Sequence, residues 1–169
     1  MNFSLIVAAD LNNGIGKNGE IPWKISADME FFKKTTVGGG KNAVIMGRTT
    51  WESLPEKHRP LKNRLNIILT RNKNYQAPDA KIAASLEEAF KVAEQNNAEE
   101  IFIIGGAKVY ASAVEYKNCS TIWLTRVSKA FDCDTFFPKI DKNRFRKNWK
   151  SEIQEENGIE FQFEKYKLL

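Results

Sequence analysis

Three separated clusters in this 169-residue chain have the residue types and spacing that chemistry requires. The first places one carboxylate, Asp28, after Pro22 and Trp23 and ahead of an aromatic pair. The other two, residues 46–51 and 104–110, each follow an apolar segment with glycine and then with a helical pattern. Glycine between a strand and a helix lets backbone N–H groups approach a phosphate. The clusters therefore indicate a phosphate-bearing cofactor beside a single acid.

Asp28 is the candidate acid, and its position has two explanations. The helix dipole favours an acidic residue in a first turn whether or not that residue takes part in chemistry. Phe31 and Phe32, however, follow it at spacings that place side chains on one helical face. A carboxylate beside aromatic rings has a raised pKa and can pair with a flat heterocycle that is cationic when protonated. Since neighbouring residues cannot both face one site, either Phe31 or Phe32 is expected in the core.

The two glycine turns are more informative together than either is alone. Gly105 and Gly106 after a strand could form only a tight turn, because the full GxGxxG pattern is absent, and Gly47 alone is weaker still. Two such turns at one sheet edge, however, suit the two walls that a dinucleotide diphosphate needs. No acid follows them to bind a ribose 2′-hydroxyl, whereas Arg48 and Arg71 are available for a 2′-phosphate. This pattern favours NADP over NAD.

Length and composition exclude several other classes of protein. With 42% hydrophobic and 28% charged residues, the chain is expected to form one globular domain over residues 1–169. Its formal net charge of +5 is scattered rather than gathered in a tract, so we expect no nucleic acid to be needed for function. The longest apolar run near the N-terminus, residues 5–9, is too short for a signal peptide or a membrane span. A cytoplasmic protein without membrane contact is the prediction.

The chain has little material for nucleophilic or metal-based catalysis. Its single histidine, His58, lies among turn residues and is expected at the surface. Cys119 and Cys133 are far apart in sequence, belong to no CxxC pair and are expected to be reduced thiols. No metal-ligand spacing is present, so we expect no metal site. The chemistry must then come from a bound organic cofactor, which together with the acid indicates a reductase.

Hydrophobic periodicity predicts the elements that position these clusters. Strands alternate with helices over the first two thirds of the chain, which predicts a mostly parallel sheet, and the last third predicts an antiparallel edge. Asn157 and Gly158 form the strongest hairpin signal. The predicted strands are residues 3–9, 43–46, 65–70, 101–104, 121–127, 149–156 and 159–168. The predicted helices are 26–36 with Ser26 as cap, one from Thr49, and one from Ser85 with Glu88 completing a capping box.

Six ordered motifs resemble dihydrofolate reductase over essentially the whole chain. The resemblance implies a single-domain α/β fold with about four helices around an eight-stranded sheet, seven strands parallel and the C-terminal strand antiparallel. The motifs are residues 15–19 with Pro22 and Trp23; 28–32; 44–48 with Thr50 and Trp51; 59–61 with Arg64; 104–106; and 134–138.

The same resemblance implies NADPH-dependent reduction of 7,8-dihydrofolate to 5,6,7,8-tetrahydrofolate, with hydride transfer to C6 and protonation at N5. Asp28 would pair with the pterin, Trp23 would hold a water that helps to protonate N5, and Thr125 would hydrogen-bond the carboxylate. Arg64 would bind the glutamate carboxylate of the substrate. The implied substrate-binding positions are Ile6, Val7, Asp28, Met29, Phe32, Leu54, Leu61, Arg64, Ile104, Tyr110 and Thr125.

The resemblance also implies an NADPH site, a cis peptide bond between Gly105 and Gly106, binding of antifolate inhibitors, and a monomeric protein. The implied cofactor positions are Ala8, Ile15, Gly16, Gly47, Arg48, Thr49, Thr50, Leu69, Thr70, Arg71, Ile104, Gly105, Gly106, Ala107, Lys108 and Val109.

Two other functions remain open on the sequence. A pyrimidine reductase of flavin biosynthesis has the same fold and uses NADPH, but its substrate requires neither Asp28 nor Arg64. A basic nucleic-acid-binding module would account for the positive charge, but it would require aromatic residues interleaved with Lys and Arg on one surface. Oxidation of NADPH with dihydrofolate as acceptor separates all three functions.

Overall fold

The computed structural model describes residues 1–169. Its strands are β1 (Phe3–Ala9), β2 (Gly14–Gly16), β3 (Ala43–Gly47), β4 (Leu65–Leu69), β5 (Lys81–Ala83), β6 (Ile101–Ile103), β7 (Cys119–Val127), β8 (Thr135–Phe136), β9 (Phe145–Lys150), β10 (Gln154–Glu156) and β11 (Ile159–Leu168). Its helices are α1 (Ser26–Val37), α2 (Arg48–Ser53), α3 (Leu86–Gln95) and α4 (Ala107–Ala113), with a 3₁₀ turn at Glu56–His58. Nine strands form a central sheet in the order β10-β11-β7-β1-β6-β3-β4-β5, with β9 also paired to β11. A separate two-stranded sheet joins β2 to β8.

The parallel part of the sheet confirms the predicted alternation of strands and helices. Its six strands, from β7 to β5, pair in parallel throughout. β1 is apolar at all but one position and lies at the centre, as expected of a strand covered on both faces. Most of the predicted strand and helix boundaries in this region agree with the structure to within one residue, but β7 begins at Cys119, two residues before the predicted start. Neither β5 nor the small β2–β8 sheet was predicted.

The C-terminal edge is antiparallel, as predicted. β11 pairs antiparallel with β7, and the two-residue turn at Asn157 and Gly158 joins it to β10. Both turn residues have positive φ, 55° and 76°, as this hairpin type requires. The predicted strand over residues 149–156 is wrong in two respects: the edge begins at Phe145, and residues 151–153 divide it into β9 and β10. Counted as one broken strand, this edge completes the predicted eight positions, of which only β11 runs the opposite way.

Helix capping differs from the prediction at α1. Ser85 caps α3 as predicted, since its Oγ accepts the Glu88 N–H at 3.1 Å. The Glu88 carboxylate accepts from Ala84 N–H at 2.7 Å, one residue earlier than in a standard capping box. Ser26, by contrast, is the first residue of α1 rather than its cap, and Ile25 occupies the cap position without a side-chain hydrogen bond.

The core divides between the two faces of the sheet. One face packs against α3 and α4 through a large cluster that includes Leu5 and Ala89. The other face packs beneath α1 through two smaller clusters, one around Met46 and one around Phe161. None of the helices combines the length and the apolar character needed to span a bilayer.

Candidate active site

Asp28 lies in the first turn of α1 and faces β7. The hydroxyl of Thr125, on β7, donates a hydrogen bond to Asp28 Oδ1 at 2.6 Å. Burial raises the pKa of Asp28, and the Thr125 hydrogen bond opposes that rise only in part. Asp28 makes no ion pair. A largely buried carboxylate with one neutral donor can accept a cationic or protonated ring as its partner.

One of the two phenylalanines that follow Asp28 lies in the core, as predicted. Phe31 stacks on Phe163 at 4.1 Å between ring centroids and meets Trp123 edge-on at 5.9 Å, so it belongs to the core. Phe32 makes no such aromatic contact and packs against the cluster around Met46. Of the predicted apolar lining, the structure brings five residues together at this one cluster: Ile6, Phe32, Leu54, Leu61 and Ile104.

Three other residues predicted to line the substrate pocket do not belong to the cluster around Met46. The side chains of Val7 and Tyr110 belong to the cluster on the opposite face of the sheet, because Val7 alternates with Ile6 along β1. Tyr110 reaches back only through its hydroxyl, which donates to the Ile6 carbonyl at 2.6 Å. Met29 is 61% exposed and contacts neither cluster. The roles of Val7, Tyr110 and Met29 in binding the substrate stay predictions.

Trp23 precedes α1 and is buried beside it. Its ring lies 5.2 Å from that of Phe131, and it shares a cluster with Ile25 and Phe161. None of the protein's hydrogen bonds uses the Trp23 indole N–H, so this donor can bind a water molecule.

Arg64 is held in place by neutral groups. Its Nη1 donates to Thr36 Oγ1 at 3.0 Å, and its Nε donates to the Lys62 carbonyl at 2.9 Å. Partial burial lowers the pKa of Arg64 from its ordinary high value, and no carboxylate of the protein pairs with it. Nη2 has no partner within the protein. A fixed guanidinium with free N–H groups is suited to a ligand carboxylate. No pattern near Arg64 or Thr36 indicated that Thr36, in the last turn of α1, would hold the guanidinium in place.

The two glycine turns meet, as the sequence argument required. Gly47 N–H donates to the Gly105 carbonyl at 2.9 Å. A Cβ on Gly47 would lie 3.4 Å from Val109 Cγ2, and one on Gly105 would lie 3.3 Å from Thr50 Oγ1. Gly105 also has φ near +133°, which other residues rarely adopt, and its bond to Gly106 is cis as the resemblance implied.

Both helices that leave these turns begin without a side-chain cap. Gly47 precedes α2 and Gly106 precedes α4, and glycine has no side chain that could accept from the first N–H groups of the helix. The first N–H groups of α4, from Ala107 to Val109, have no acceptor within the protein. Free N–H groups at two adjacent turns can bind the diphosphate of a dinucleotide.

The basic residues near these turns are exposed. Arg48 lies 3.6 Å from Glu52 and above the ring of Tyr75, whereas Arg71 and Lys108 have no ion-pair partner. Thr70 Oγ1 accepts from Asn72 N–H at 3.2 Å and orders the backbone beside Arg71. The cations predicted to bind a 2′-phosphate are therefore accessible, although Arg48 also has an acidic neighbour.

The segment that carries Ile15 and Gly16 is tied to the chain near Phe131. The Asp10 carboxylate accepts N–H groups from Asn12, Gly14 and Phe131 at 2.8 to 2.9 Å. Burial opposes ionisation of Asp10, but these backbone hydrogen bonds lower its pKa below the usual value. β2 then pairs with β8, which fixes Ile15 and Gly16 beside the sheet.

The sequence also failed to identify Glu156 as part of the site. Its carboxylate accepts N–H groups from Ser26 at 2.5 Å and from Ala27 at 3.1 Å, at the start of α1. These two hydrogen bonds lower the pKa of Glu156. No local pattern could reveal the contact, because Glu156 lies 130 residues from Ser26 along the chain.

Comparison with known proteins agrees with this geometry. The family model described as dihydrofolate reductase matches residues 2–168. The chain is 40% identical to the dihydrofolate reductase of Heliothis virescens over 182 residues, which cover 100% of this chain and 98% of that protein. It is 40% identical to that of Sus scrofa over 176 residues, 95% of each chain. It is 37% identical to the bifunctional dihydrofolate reductase-thymidylate synthase of Glycine max, covering 97% of this chain and 33% of that protein.

The family match and the relatives agree on one assignment, and the alternative of a flavin-pathway reductase is not favoured by them. The chain belongs to the dihydrofolate reductase family.

Proposed function

We propose that this chain reduces 7,8-dihydrofolate to 5,6,7,8-tetrahydrofolate and uses NADPH as the hydride donor. Membership of the dihydrofolate reductase family supports the reaction. The single structural observation that carries it is the largely buried carboxylate of Asp28, whose pKa is raised by burial and whose only hydrogen bond within the protein comes from Thr125. Such a carboxylate suits a pterin, because the pterin presents ring N–H groups and gains a proton during the reaction.

The substrate fits between two polar groups separated by an apolar cluster. Asp28 is proposed to bind the pterin, and the cluster residues Phe32 and Leu54 to contact its ring and the benzoyl group. Arg64, at the far end of α1 from Asp28, is proposed to bind the glutamate carboxylate. The twelve residues of α1 thus connect the two ends of an extended ligand.

The residues present fit NADPH. Uncapped N–H groups at two adjacent glycine turns suit its diphosphate, and the exposed Arg48 and Arg71 suit its 2′-phosphate. Ala8, Ile15 and Gly16 are proposed to contact the nicotinamide end. When bound, this cofactor supplies the hydride that reaches C6 of the pterin.

The protein's own residues then bind, orient and protonate the substrate. Thr125 holds the Asp28 carboxylate in one orientation through the 2.6 Å hydrogen bond. Asp28 fixes the pterin and favours its protonated form, and Trp23 is proposed to hold the water that delivers the proton to N5. The apolar residues around Asp28 exclude other water and so strengthen its interaction with the ring.

The proposal is tested by following NADPH absorbance with the purified protein and 7,8-dihydrofolate. We expect substrate-dependent oxidation of NADPH and a much slower reaction with NADH. Failure to oxidise NADPH with dihydrofolate, combined with turnover of a ribityl-phosphate pyrimidine, would assign the protein to the alternative reductase. The proposal also includes a cytoplasmic location, which the free thiols of Cys119 and Cys133 support.

A further inference from the structure

The start of α1 is stabilised by a residue from the opposite end of the chain. A helix leaves its first N–H groups without acceptors, and a side chain at the cap position usually accepts from them. Here the cap position holds Ile25, which is apolar and buried. Glu156 instead accepts the first two N–H groups, those of Ser26 and Ala27, with one carboxylate oxygen each.

This arrangement releases Asp28 from the capping role that its position would give it. Asp28 is the only acid in the first turn of α1, where a carboxylate commonly turns back to the free N–H groups. Because Glu156 satisfies the N–H groups of Ser26 and Ala27, the helix start does not depend on the Asp28 carboxylate, which instead accepts from Thr125 and is free to face the ligand. The two acids therefore have different roles: Glu156 caps the helix start, and Asp28 faces the proposed substrate.

The segment that carries Glu156 is well suited to this task. Glu156 is the last residue of β10, and Ile159 lies opposite it across the tight turn at Asn157 and Gly158. β11 continues from that turn and pairs with β7, the strand that carries Thr125. Both partners of the Asp28–Thr125 hydrogen bond are therefore connected to the same hairpin.

We propose that Glu156 is a positioning residue for the reaction: by holding the first turn of α1, it sets the orientation in which Asp28 meets the substrate. This inference rests on the proposed function of Asp28. Glu156 acts on the first turn of α1 through Ser26 and Ala27, so in this proposal its effect on the reaction passes through Asp28. The C-terminal hairpin is then part of the active-site framework.

A double-mutant cycle with Asp28 tests this inference, because two residues that act through one interaction do not have additive effects. Steady-state kcat/KM for dihydrofolate is measured for the wild type, Glu156→Ala, Asp28→Asn and the double variant. Loss of a helix cap changes the population of the first turn by about tenfold, so Glu156→Ala should lower kcat/KM about tenfold. In the Asp28→Asn background the same change should lower it less than about twofold.

Two further variants keep the test decisive. Glu156→Gln retains one acceptor oxygen at nearly the same volume, and it should lower kcat/KM only about threefold, with the same loss of effect in the Asp28→Asn background. It replaces Glu156→Ala in the cycle if the alanine variant does not fold. Glu155→Ala is the matched control, because Glu155 is exposed, lies opposite Glu160 and makes no hydrogen bond to α1. It should change kcat/KM less than about twofold.

The possible outcomes are distinct. Equal losses from the Glu156 change in both backgrounds would mean a general structural effect and would overturn the inference, while the role of Asp28 would stand. Unchanged kcat/KM in folded Glu156→Ala would overturn it as well. Wild-type activity in Asp28→Asn would instead refute the proposed role of Asp28, and the inference with it.

Discussion

Replacement of Arg64 by alanine should weaken binding of the glutamate end of dihydrofolate with little damage to the fold. Thr36 Oγ1 loses the Arg64 donor but still donates to the Phe32 carbonyl at 2.7 Å, so its own donor stays satisfied. The carbonyl of Lys62, an exposed residue, can turn to water. We therefore expect the free energy of unfolding to fall by less than about 1 kcal/mol.

The effect on the substrate should be larger. A guanidinium pairs with a carboxylate through two charge-assisted hydrogen bonds of about 1.5 kcal/mol or more each. Their loss, about 3 kcal/mol, corresponds to roughly a hundredfold rise in KM. Because the glutamate lies far from the reacting ring, kcat should change much less. Arg64→Lys keeps the charge but not the planar pair of donors, so its KM should fall between those of the wild type and Arg64→Ala.

The assay compares two substrates. Initial rates of NADPH oxidation are measured with dihydrofolate and with a dihydropterin that lacks the glutamate, and Lys62→Ala serves as the control for loss of a neighbouring positive charge. The rise in KM caused by Arg64→Ala should appear with dihydrofolate only. An equal rise in KM for both substrates would show that Arg64 acts through folding. If Lys62→Ala raised KM for dihydrofolate as much as Arg64→Ala does, Arg64 would contribute only its positive charge and not a specific contact.

Four further predictions concern the acid, the cofactor and the segment after β1. Asp28→Asn should lower kcat/KM at neutral pH by at least about a hundredfold. The difference in kcat/KM between this variant and the wild type should narrow in acid, because more substrate is then already protonated at N5. Activity of the variant close to that of the wild type across the pH range would contradict this mechanism. Since burial raises the pKa of Asp28, the native state binds its proton more tightly than the unfolded chain, and stability falls as pH rises from the unfolded pKa through the native pKa. Thermal unfolding should therefore show Asp28→Asn to be more stable than the wild type at neutral pH and equal to it in acid. Replacing Arg48 and Arg71 together by alanine should reduce the preference for NADPH over NADH by at least about a hundredfold, and an unchanged ratio of kcat/KM values would remove both from the site. A Cβ on Gly14 would lie 2.5 Å from both Cβ and Sγ of Cys133. Gly14→Ala should therefore lower the free energy of unfolding, measured by denaturant titration, by about 1–3 kcal/mol. In that variant Cys133→Gly should recover part of the lost stability, and Cys133→Ala, which keeps Cβ, should recover less.

Local patterns in the sequence were sufficient for most of the fold. The mostly apolar residues of β1 predicted a buried strand, and Ser85 with Glu88 predicted the start of α3. Asn157 and Gly158 predicted the final hairpin. These signals act over a few residues, because hydrogen bonding within a turn and burial of one face depend mainly on near neighbours. They also placed Asp28 in the first turn of a helix and the two glycine turns at one sheet edge.

The sequence did not determine which groups from distant parts of the chain complete the site. Alternation along β1 places Ile6 and Val7 on opposite faces of the sheet, but only the packing of the helices decides which of the two faces lies beneath α1. The hydrogen bond from Arg64 to Thr36 forms because β4 and α1 pack in one cluster, and no pattern near either residue predicts it.

The sequence by itself determined that a single acid stands at the start of a helix, near two turns suited to a phosphate-bearing cofactor. Only the tertiary structure decided what holds that acid in place. Thr125 is 97 residues from Asp28, and Glu156 is 130 residues from Ser26. The physical reason is that hydrogen bonds join whichever donors and acceptors folding brings together, and separation along the chain has no influence on the strength of the bond once formed.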